Sequence, residues 1–243
     1  PCRLVGLRSV SHVSLRPDRA EADVVTSRSR VLLAECLGTT LLLIGVVGSG
    51  IMAARLSPDD VGLQLFQNAV ATAAVLVAII AIFGTISADF NPAVTIGAWL
   101  LGHRAGRDVA PLIVVQVIGA VAGTVLANLM FDLDAATWST TSRSGGHLWL
   151  SEVVATVGLL LVVFALVRAG RTAHLPYVVG AYIGGAYYFT SSTSFANPAV
   201  TVGRTLSDTF AGIEPSCAPM FVVMQLVGVG VAVVLLRALF PTD

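Results

Sequence analysis

The pentapeptide Asn-Pro-Ala-Val-Thr occurs twice in the chain, at residues 91–95 and 197–201. Asparagine is a strong helix N-cap and proline is favoured at the first helical position, so each copy predicts the start of a helix. Both copies lie inside apolar sequence, where a polar side chain is costly unless it is hydrogen-bonded. The two Asn-Pro-Ala boxes are therefore the first candidate functional residues: Asn91, Pro92, Ala93, Asn197, Pro198 and Ala199.

The chemistry that these boxes offer is electrostatic and hydrogen-bonding. A helix N-terminus carries about half a positive elementary charge, and each asparagine amide has N–H donors. Two such ends that met at one point would attract the oxygen of a neutral solute and repel a cation or a proton. Half-helix dipoles of this kind set selectivity in pores. The alternative is that each box only begins a buried helix.

The sequence indicates no other chemistry. It contains no nucleophile–base pair, no metal-ligand cluster and no phosphate-binding loop, so we expect neither an enzyme nor a cofactor, a bound metal or a nucleic-acid partner. The cysteines form no motif and predict no disulfide. The histidines fall in the N-terminal segment or between apolar segments: His12, His103, His147 and His174.

The composition predicts that the boxes are held in a membrane protein. Of 243 residues, 56% are hydrophobic and 12% are charged, which is about half the charged share of a soluble domain. That share is too small to cover a water-exposed surface of this size. We therefore predict an integral, all-α membrane protein whose surroundings are a lipid bilayer.

Six apolar segments are close to the roughly 20 residues that cross a bilayer as a helix: 31–52, 61–83, 111–130, 148–167, 175–189 and 217–239. The fifth is short, and we expect it to continue to residues 190–192. The box segments, 91–101 and 197–206, would each form about 15 Å of helix, half of a hydrocarbon core of about 30 Å. We expect two half-helices that enter the membrane from opposite sides.

The chain contains an internal repeat whose two copies are residues 31–130 and 148–239. Each copy consists, in chain order, of two spans, a half-helix and a third span. Three spans is an odd number, so the two copies must have opposite orientations in the membrane. Inverted repeats place a solute pathway at the repeat interface near the midplane.

Four polar residues occupy matched positions in the two copies: Glu35 with Glu152, and Gln116 with Gln225. An acidic residue inside a span is costly and usually has a role. We expect the carboxylates to accept hydrogen bonds from the loop backbones before the boxes, and the glutamines to pair between helices. The alternative is that the carboxylates carry protons in a transporter.

Every basic residue is an arginine, and the arginines predict the orientation. With the N-terminus inside, eleven of the 14 arginines lie in cytoplasmic segments, while Arg55, Arg143 and Arg204 lie outside. This distribution follows the positive-inside rule. We expect a multi-pass plasma-membrane protein with both termini in the cytoplasm. Residues 1–30 would be a mobile, arginine-rich tail, and residues 31–240 would be the channel domain.

These features resemble the major intrinsic protein family, the aquaporins and glycerol facilitators. The resemblance rests on the two boxes, the Ala-Glu opening of the first span and the Gln-x-x-Gly pattern at Gln116, and it covers about residues 31–240. It implies an aquaporin-like right-handed bundle of six transmembrane helices plus two half-helices. It also implies a pore in every protomer and a homotetramer.

Aligned with that family, the selectivity filter falls on Thr72, Gly185, Ser194 and Val200. Water-selective members have an arginine directly after the second box, where this chain has Val200. The resemblance therefore implies a wide, uncharged filter that passes neutral solutes larger than water. Residues 197–213 resemble a bacterial branch of aquaglyceroporins associated with arsenic resistance, so arsenous acid is a candidate solute beside glycerol.

Two charged residues near the boxes leave alternatives open. Arg204 lies four residues beyond Val200 on the same helix face. Its guanidinium leans over the outer mouth, or it reaches lipid headgroups or loop carbonyls, and we expect the second. Asp89 precedes the first box by two residues. It attracts cations to the vestibule or caps the half-helix, and we expect the cap.

The sequence therefore predicts a passive channel for water and small neutral solutes. A secondary transporter that carries protons on Glu35 or Glu152 is the first alternative, and it would accumulate its solute in a pH gradient. A non-conducting family member with a structural role is the second, and it would show no flux.

Overall fold

The computed structural model describes residues 27–240, so residues 1–26 and 241–243 lie outside the described part. Nearly all of the expected N-terminal tail falls in the first of these segments. Among residues 27–240 all regular structure is helical. The helices are α1 (Arg28–Leu56), α2 (Val61–Phe83), α3 (Pro92–Leu100), α4 (Gly106–Met130), α5 (Gly146–Arg168), α6 (Leu175–Phe189), α7 (Pro198–Arg204) and α8 (Ala218–Leu239).

Five of these helices, α1, α2, α4, α5 and α8, are long and apolar enough to cross a membrane. Helix α6 has 15 residues, or about 22 Å of helix, and follows a 3-10 turn at Thr172–His174. The expected continuation of this helix to residues 190–192 was wrong. The helix ends at Phe189 because Thr190 has an extended backbone, while its hydroxyl donates to the carbonyl of Ala186 at 2.6 Å.

Helix α4 begins at Gly106, five residues before its expected start at Pro111. A proline inside a helix has no N–H for the carbonyl four residues earlier, which here belongs to Arg107. The side chain of Arg28 donates to that carbonyl at 3.2 Å. Arg28 also lies 3.4 Å from the carboxylate of Asp108. The start of α1 thereby supplies the donor that Pro111 lacks.

The helix contacts follow the internal repeat. Helix α1 packs against α2 and α4, and its counterpart α5 packs against α6 and α8. Helices α2 and α6 contact each other across the repeat interface. The half-helices cross between the copies, since α3 packs against α8 as well as α4, and α7 packs against α4 as well as α8. The two box segments are therefore held by both repeats.

Glycines at matched positions let the long helices approach closely. A Cβ on Gly119 of α4 would collide with the carbonyl oxygen of Cys36 in α1. A Cβ on Gly228 of α8 would lie 3.0 Å from the carbonyl oxygen of Val153 in α5. Small residues at such contacts are the usual means of tight helix packing in membranes.

Replacing Gly119 with alanine tests this packing. We expect Gly119→Ala to lower the stability of the protein by about 1–3 kcal/mol, because α1 and α4 must move apart. Gly230→Ala is the control, since a Cβ there meets no atom within 4 Å. Thermal unfolding in detergent measures both variants. Equal melting temperatures for the two variants would contradict the close contact.

Candidate functional site

Each box asparagine caps its own half-helix. The side-chain oxygen of Asn91 accepts a hydrogen bond from the backbone N–H of Ala93 at 2.8 Å. The side-chain oxygen of Asn197 accepts from Ala199 at 3.0 Å and from Val200 at 3.2 Å. The helices begin at Pro92 and Pro198, the residues directly after the caps, as the N-cap rule predicts.

The same two side chains connect the repeats. The amide nitrogen of Asn91 donates to the carbonyl of Ala196, and that of Asn197 donates to the carbonyl of Phe90, both at 2.8 Å. Phe90 and Ala196 each have φ of 47°, a left-handed conformation that is uncommon outside glycine. Among the described residues the second N–H of each amide has no protein acceptor. That hydrogen is available to a solute.

A buried carboxylate holds the loop before the first box. Glu35 is fully buried in α1. Its oxygens accept hydrogen bonds from the backbone N–H of Asp89 at 2.8 Å and of Phe90 at 2.7 Å. They also accept from the hydroxyl of Ser87 at 2.5 Å and from the amide of Gln116 at 2.9 Å.

The second repeat has the same arrangement around Glu152 of α5. Its oxygens accept from the backbone N–H of Phe195 at 3.0 Å and of Ala196 at 2.9 Å. They also accept from the hydroxyl of Ser192 and the amide of Gln225, both at 2.6 Å. Each carboxylate thus has four donors. Neither lines the cavity described below, so this geometry suits loop support better than proton carriage.

The two loops differ in length by one residue. One residue separates Ser87 from Asp89 in the first loop, whereas Thr193 and Ser194 separate Ser192 from Phe195 in the second. Thr193 and Ser194 both have positive φ, 63° and 53°. The hydroxyl of Ser194 is buried and has no hydrogen-bond partner among the described residues. The extra residue therefore leaves an unpaired hydroxyl beside the second box.

A cavity of about 770 Å³ lies between the repeats and includes both box asparagines in its lining. At one end, the α3 mouth, it is lined by Asp89, His103 and Arg104. At the other end, the α7 mouth, it is lined by Tyr187, Ser194 and Arg204. Apolar side chains form much of the wall between them, including Leu76, Ile80, Val94, Leu159 and Ile183. The result is a largely apolar passage with polar groups at the centre and the ends.

Three of the four expected filter residues line this cavity: Thr72, Ser194 and Val200. Gly185 does not, and its assignment is corrected, because it is exposed on α6. Tyr187 lines the cavity instead, with its hydroxyl 3.1 Å from that of Thr72. Two residues along a helix are about 200° apart around its axis, so Gly185 and Tyr187 point in nearly opposite directions.

Arg204 is buried inside the protein, so it reaches a loop carbonyl, as one part of the expectation had it, and not lipid headgroups. The residue is 2% exposed. The guanidinium carbon lies 3.5 Å from the ring centre of Phe195, and Nε donates to the carbonyl of Ala211. Sequence reasoning did not identify Phe195 or Tyr187 as site residues. The signal in the sequence that could have identified them was an aromatic side chain in the loop before the second box, for Phe195, and in a short helix, for Tyr187.

Asp89 does not cap α3, so that expectation is also corrected. Asn91 holds the cap position. The carboxylate of Asp89 accepts a hydrogen bond from the hydroxyl of Thr95 and pairs with the guanidinium of Arg104, each at 2.9 Å. The α3 mouth therefore contains a charge that is paired with an opposite one.

A second guanidinium approaches the α7 mouth from the loop at residues 131–145. The guanidinium carbon of Arg143 lies 5.3 Å from the ring centre of Phe195, and Nε donates to the carbonyl of Gly212 at 2.8 Å. Burial lowers the pKa of Arg143 from its usual value, and the nearby Tyr187 and Glu152 oppose that change. Two arginines thus share one aromatic ring at this mouth.

Two repeats with crossed half-helices around a central cavity define a membrane channel. A model of the major intrinsic protein family matches residues 22–195. The chain belongs to the major intrinsic protein family, and it is a passive channel rather than an enzyme.

The chain is 49% identical over 210 residues to the aquaglyceroporin AqpS of Rhizobium meliloti (strain 1021), which covers 86% of this chain and 89% of that protein. It is 30% identical over 222 residues to the probable aquaporin AqpM of Archaeoglobus fulgidus, with coverage of 80% and 90%. The X-ray structure of the aquaglyceroporin from Plasmodium falciparum superposes with a TM-score of 0.70 at 21% identity, covering 88% of this chain and 98% of that one. The predicted aquaporin-like, all-α fold is confirmed.

Cysteine substitutions test which of the expected filter residues line the passage. In a variant with Cys2, Cys36 and Cys217 replaced by alanine, we expect Ser194→Cys to make solute flux sensitive to a thiol reagent, because the new thiol lies in the cavity. Gly185→Cys is the control, and its modification leaves flux unchanged. Block through Gly185→Cys without block through Ser194→Cys would reverse the assignment.

Removing one buried carboxylate tests its role. We expect Glu152→Gln to lower stability by at least about 2 kcal/mol, because hydrogen bonds to a charged acceptor are lost. Thermal unfolding in detergent measures this, with Glu214→Gln as the control, since the Glu214 side chain has no hydrogen bond among the described residues. Unchanged stability combined with loss of pH-driven accumulation would instead identify Glu152 as a proton carrier.

Proposed function

We propose that this protein conducts small neutral solutes with hydroxyl groups, of which glycerol and arsenous acid are candidates, together with water. The observation that carries the proposal is the cavity between the repeats, whose lining includes Asn91 and Asn197. Each of these amides keeps one N–H without a protein acceptor. A solute hydroxyl that passes between them accepts hydrogen bonds from these amides. These bonds take the place of the hydrogen bonds to water that the solute loses where the wall is otherwise apolar.

Charge at the centre of the passage supports a neutral solute. The N-termini of α3 and α7 meet there, and each contributes about half a positive elementary charge. A cation would lose its hydration shell and face this field, so its barrier is high. A chain of water molecules would also have to orient its oxygens toward both amides, which interrupts proton transfer along the chain.

Passage of solutes larger than water is supported by Val200. This residue follows Ala199 directly, is buried and lines the cavity. A valine leaves more space there than an arginine would. The relative from Rhizobium meliloti is named an aquaglyceroporin, which supports a polyol as a solute of this chain too. Arsenous acid is neutral and carries several hydroxyl groups, as glycerol does.

The two alternative functions have less support. Glu35 and Glu152 are fully buried and each accepts four hydrogen bonds, whereas a proton carrier needs access to the solute pathway. A non-conducting structural member needs no polar groups along an internal passage. The cavity with its paired amides therefore favours conduction.

The cellular setting follows from the arginines and from the family. We propose that residues 31–240 form the channel domain, that the protein lies in the plasma membrane, and that both termini are cytoplasmic, since eleven of 14 arginines would then lie inside. The α3 mouth would face the cytoplasm and the α7 mouth the outside. A homotetramer with a pore in each protomer is the assembly expected for this family.

Stopped-flow light scattering on proteoliposomes tests this function. We expect rapid entry of water, glycerol and arsenous acid that stops at equal concentration and does not depend on a pH gradient. Liposomes without protein are the control. Absence of flux for all three solutes would reject the proposed function, and accumulation against a gradient would indicate a transporter.

Val200→Arg tests the width of the passage in the same assay. We expect this variant to reduce glycerol entry at least about tenfold while water entry persists, because a guanidinium occupies the space beside the second box. Val202→Arg is the matched control, since Val202 lies on the same half-helix but outside the cavity lining. Unchanged glycerol entry in Val200→Arg would contradict the assigned position of Val200.

A further inference from the structure

The two mouths of the cavity differ in charge. At the α3 mouth, the guanidinium of Arg104 pairs with the carboxylate of Asp89. At the α7 mouth, Arg204 has no carboxylate within ion-pair distance among residues 27–240, where the ion pairs are those of Arg28 and Arg104. The α7 mouth therefore carries an unneutralised positive charge, although Arg204 is almost fully buried.

The guanidinium of Arg204 is held in place by neighbours that do not neutralise it. Its central carbon lies over the Phe195 ring, 3.5 Å from the ring centre, and its Nε donates to the carbonyl of Ala211. The two terminal nitrogens have no protein acceptor among the described residues, and Arg204 lines the cavity. A guanidinium on an aromatic face is stabilised by the ring quadrupole, so it keeps its charge and its free donors.

The position of Arg204 on α7 explains how it reaches the passage. Residues four apart lie on the same face of a helix, which places Arg204 one turn beyond Val200, and Val200 also lines the cavity. Helical side chains point back toward the N-terminus. The long side chain of Arg204 therefore reaches the passage from one turn beyond the space that the short side chain of Val200 leaves open.

We propose that Arg204, positioned by the Phe195 ring, is the specificity-determining residue of the α7 mouth. This inference rests on the proposed channel function. The sequence predicted a wide, uncharged filter at Val200, whereas this assignment places a guanidinium at the same mouth. The positive charge repels cations, and the two terminal nitrogens donate hydrogen bonds to the oxygens of a neutral solute. Phe195 acts as a positioning residue, because its ring supports the guanidinium at contact distance and fixes its place at the mouth.

The electrostatic effect of this residue is strong at close range. A unit charge about 5 Å from a permeating cation, in a partly buried site, repels it by several times the thermal energy. Salt screens such a charge weakly, since it is buried. Removal of the charge should therefore weaken cation exclusion even though the paired asparagines remain.

Two substitutions separate the charge of Arg204 from its volume. Arg204→Met keeps an unbranched side chain but removes the charge, whereas Arg204→Lys keeps the charge but loses the planar fork. We expect Arg204→Met to raise the leak of potassium ions and protons at least about tenfold, and to raise erythritol entry relative to glycerol. We expect Arg204→Lys to retain exclusion of potassium ions. Ion-sensitive dyes and stopped-flow scattering on proteoliposomes give both readouts.

Arg55→Met is the matched control. Arg55 also lies near an aromatic ring, 5.2 Å from the centre of Phe131, and donates to the carbonyl of Phe131 at 2.6 Å. It does not line the cavity. We expect this variant to keep the selectivity of the unmodified channel.

Substitution of the aromatic ring tests the positioning role. We expect Phe195→Leu to lower the discrimination between glycerol and erythritol although Arg204 is present. Phe221→Leu is its control, since Phe221 packs against Phe195 at 5.1 Å between ring centres but lies outside the cavity lining. Equal discrimination in both variants would overturn the role of Phe195.

The outcomes for Arg204 are distinct from those for the channel itself. Normal glycerol flux with unchanged ion leak and unchanged size discrimination in Arg204→Met would overturn the inference and leave the proposed function intact. An ion leak in Arg204→Lys as large as in Arg204→Met would also overturn it, because packing and not charge would then set the barrier. If Arg204→Met does not assemble, Arg204→Gln makes the same comparison, since it keeps an amide donor without the charge.

Discussion

Two loops enter an apolar interior with backbone N–H groups that need acceptors, and one buried carboxylate meets that need in each loop. An unsatisfied backbone group at membrane depth is costly. Glu35 and Glu152 each accept from two consecutive backbone amides. With those amides fixed, the carbonyls of Phe90 and Ala196 accept from the asparagine of the opposite repeat. The meeting of the two half-helices therefore depends on carboxylates that never touch a solute.

The two carboxylates support their loops in the same way, but the two mouths of the cavity differ in charge. Phe195 stands where the first repeat has Asp89, since both donate their backbone N–H to the matched carboxylate. One supplies an ion-pair partner for an arginine and the other supplies a ring surface. The same backbone scaffold thus produces a charge-balanced mouth on one side and a positively charged mouth on the other.

Helices that show a long apolar segment, and motifs that occur in both repeats, could be predicted from the sequence. The direction of a side chain inside a loop could not. Helix α2 has the bounds that hydropathy indicates, 61–83, and the boxes begin helices at their prolines. Gly185 was misplaced because the alignment with the family assumes a loop and helix of standard length before the second box. The burial of Arg204 depends on Phe195, and nothing in the local sequence shows that this loop folds back over the end of α7.

The extra residue in the second loop links the hydrogen bonds of Glu152 to the selectivity of the α7 mouth. Thr193, Ser194 and Ala196 all have positive φ, and such a conformation costs roughly 1–2 kcal/mol for each non-glycine residue. The loop keeps this shape because Glu152 accepts hydrogen bonds on both sides of it, from Ser192 and from Phe195 with Ala196. The carboxylate therefore offsets backbone strain that turns Ser194 toward the cavity and brings the Phe195 ring under Arg204. A change at Glu152 would alter the filter without any contact between that residue and the solute.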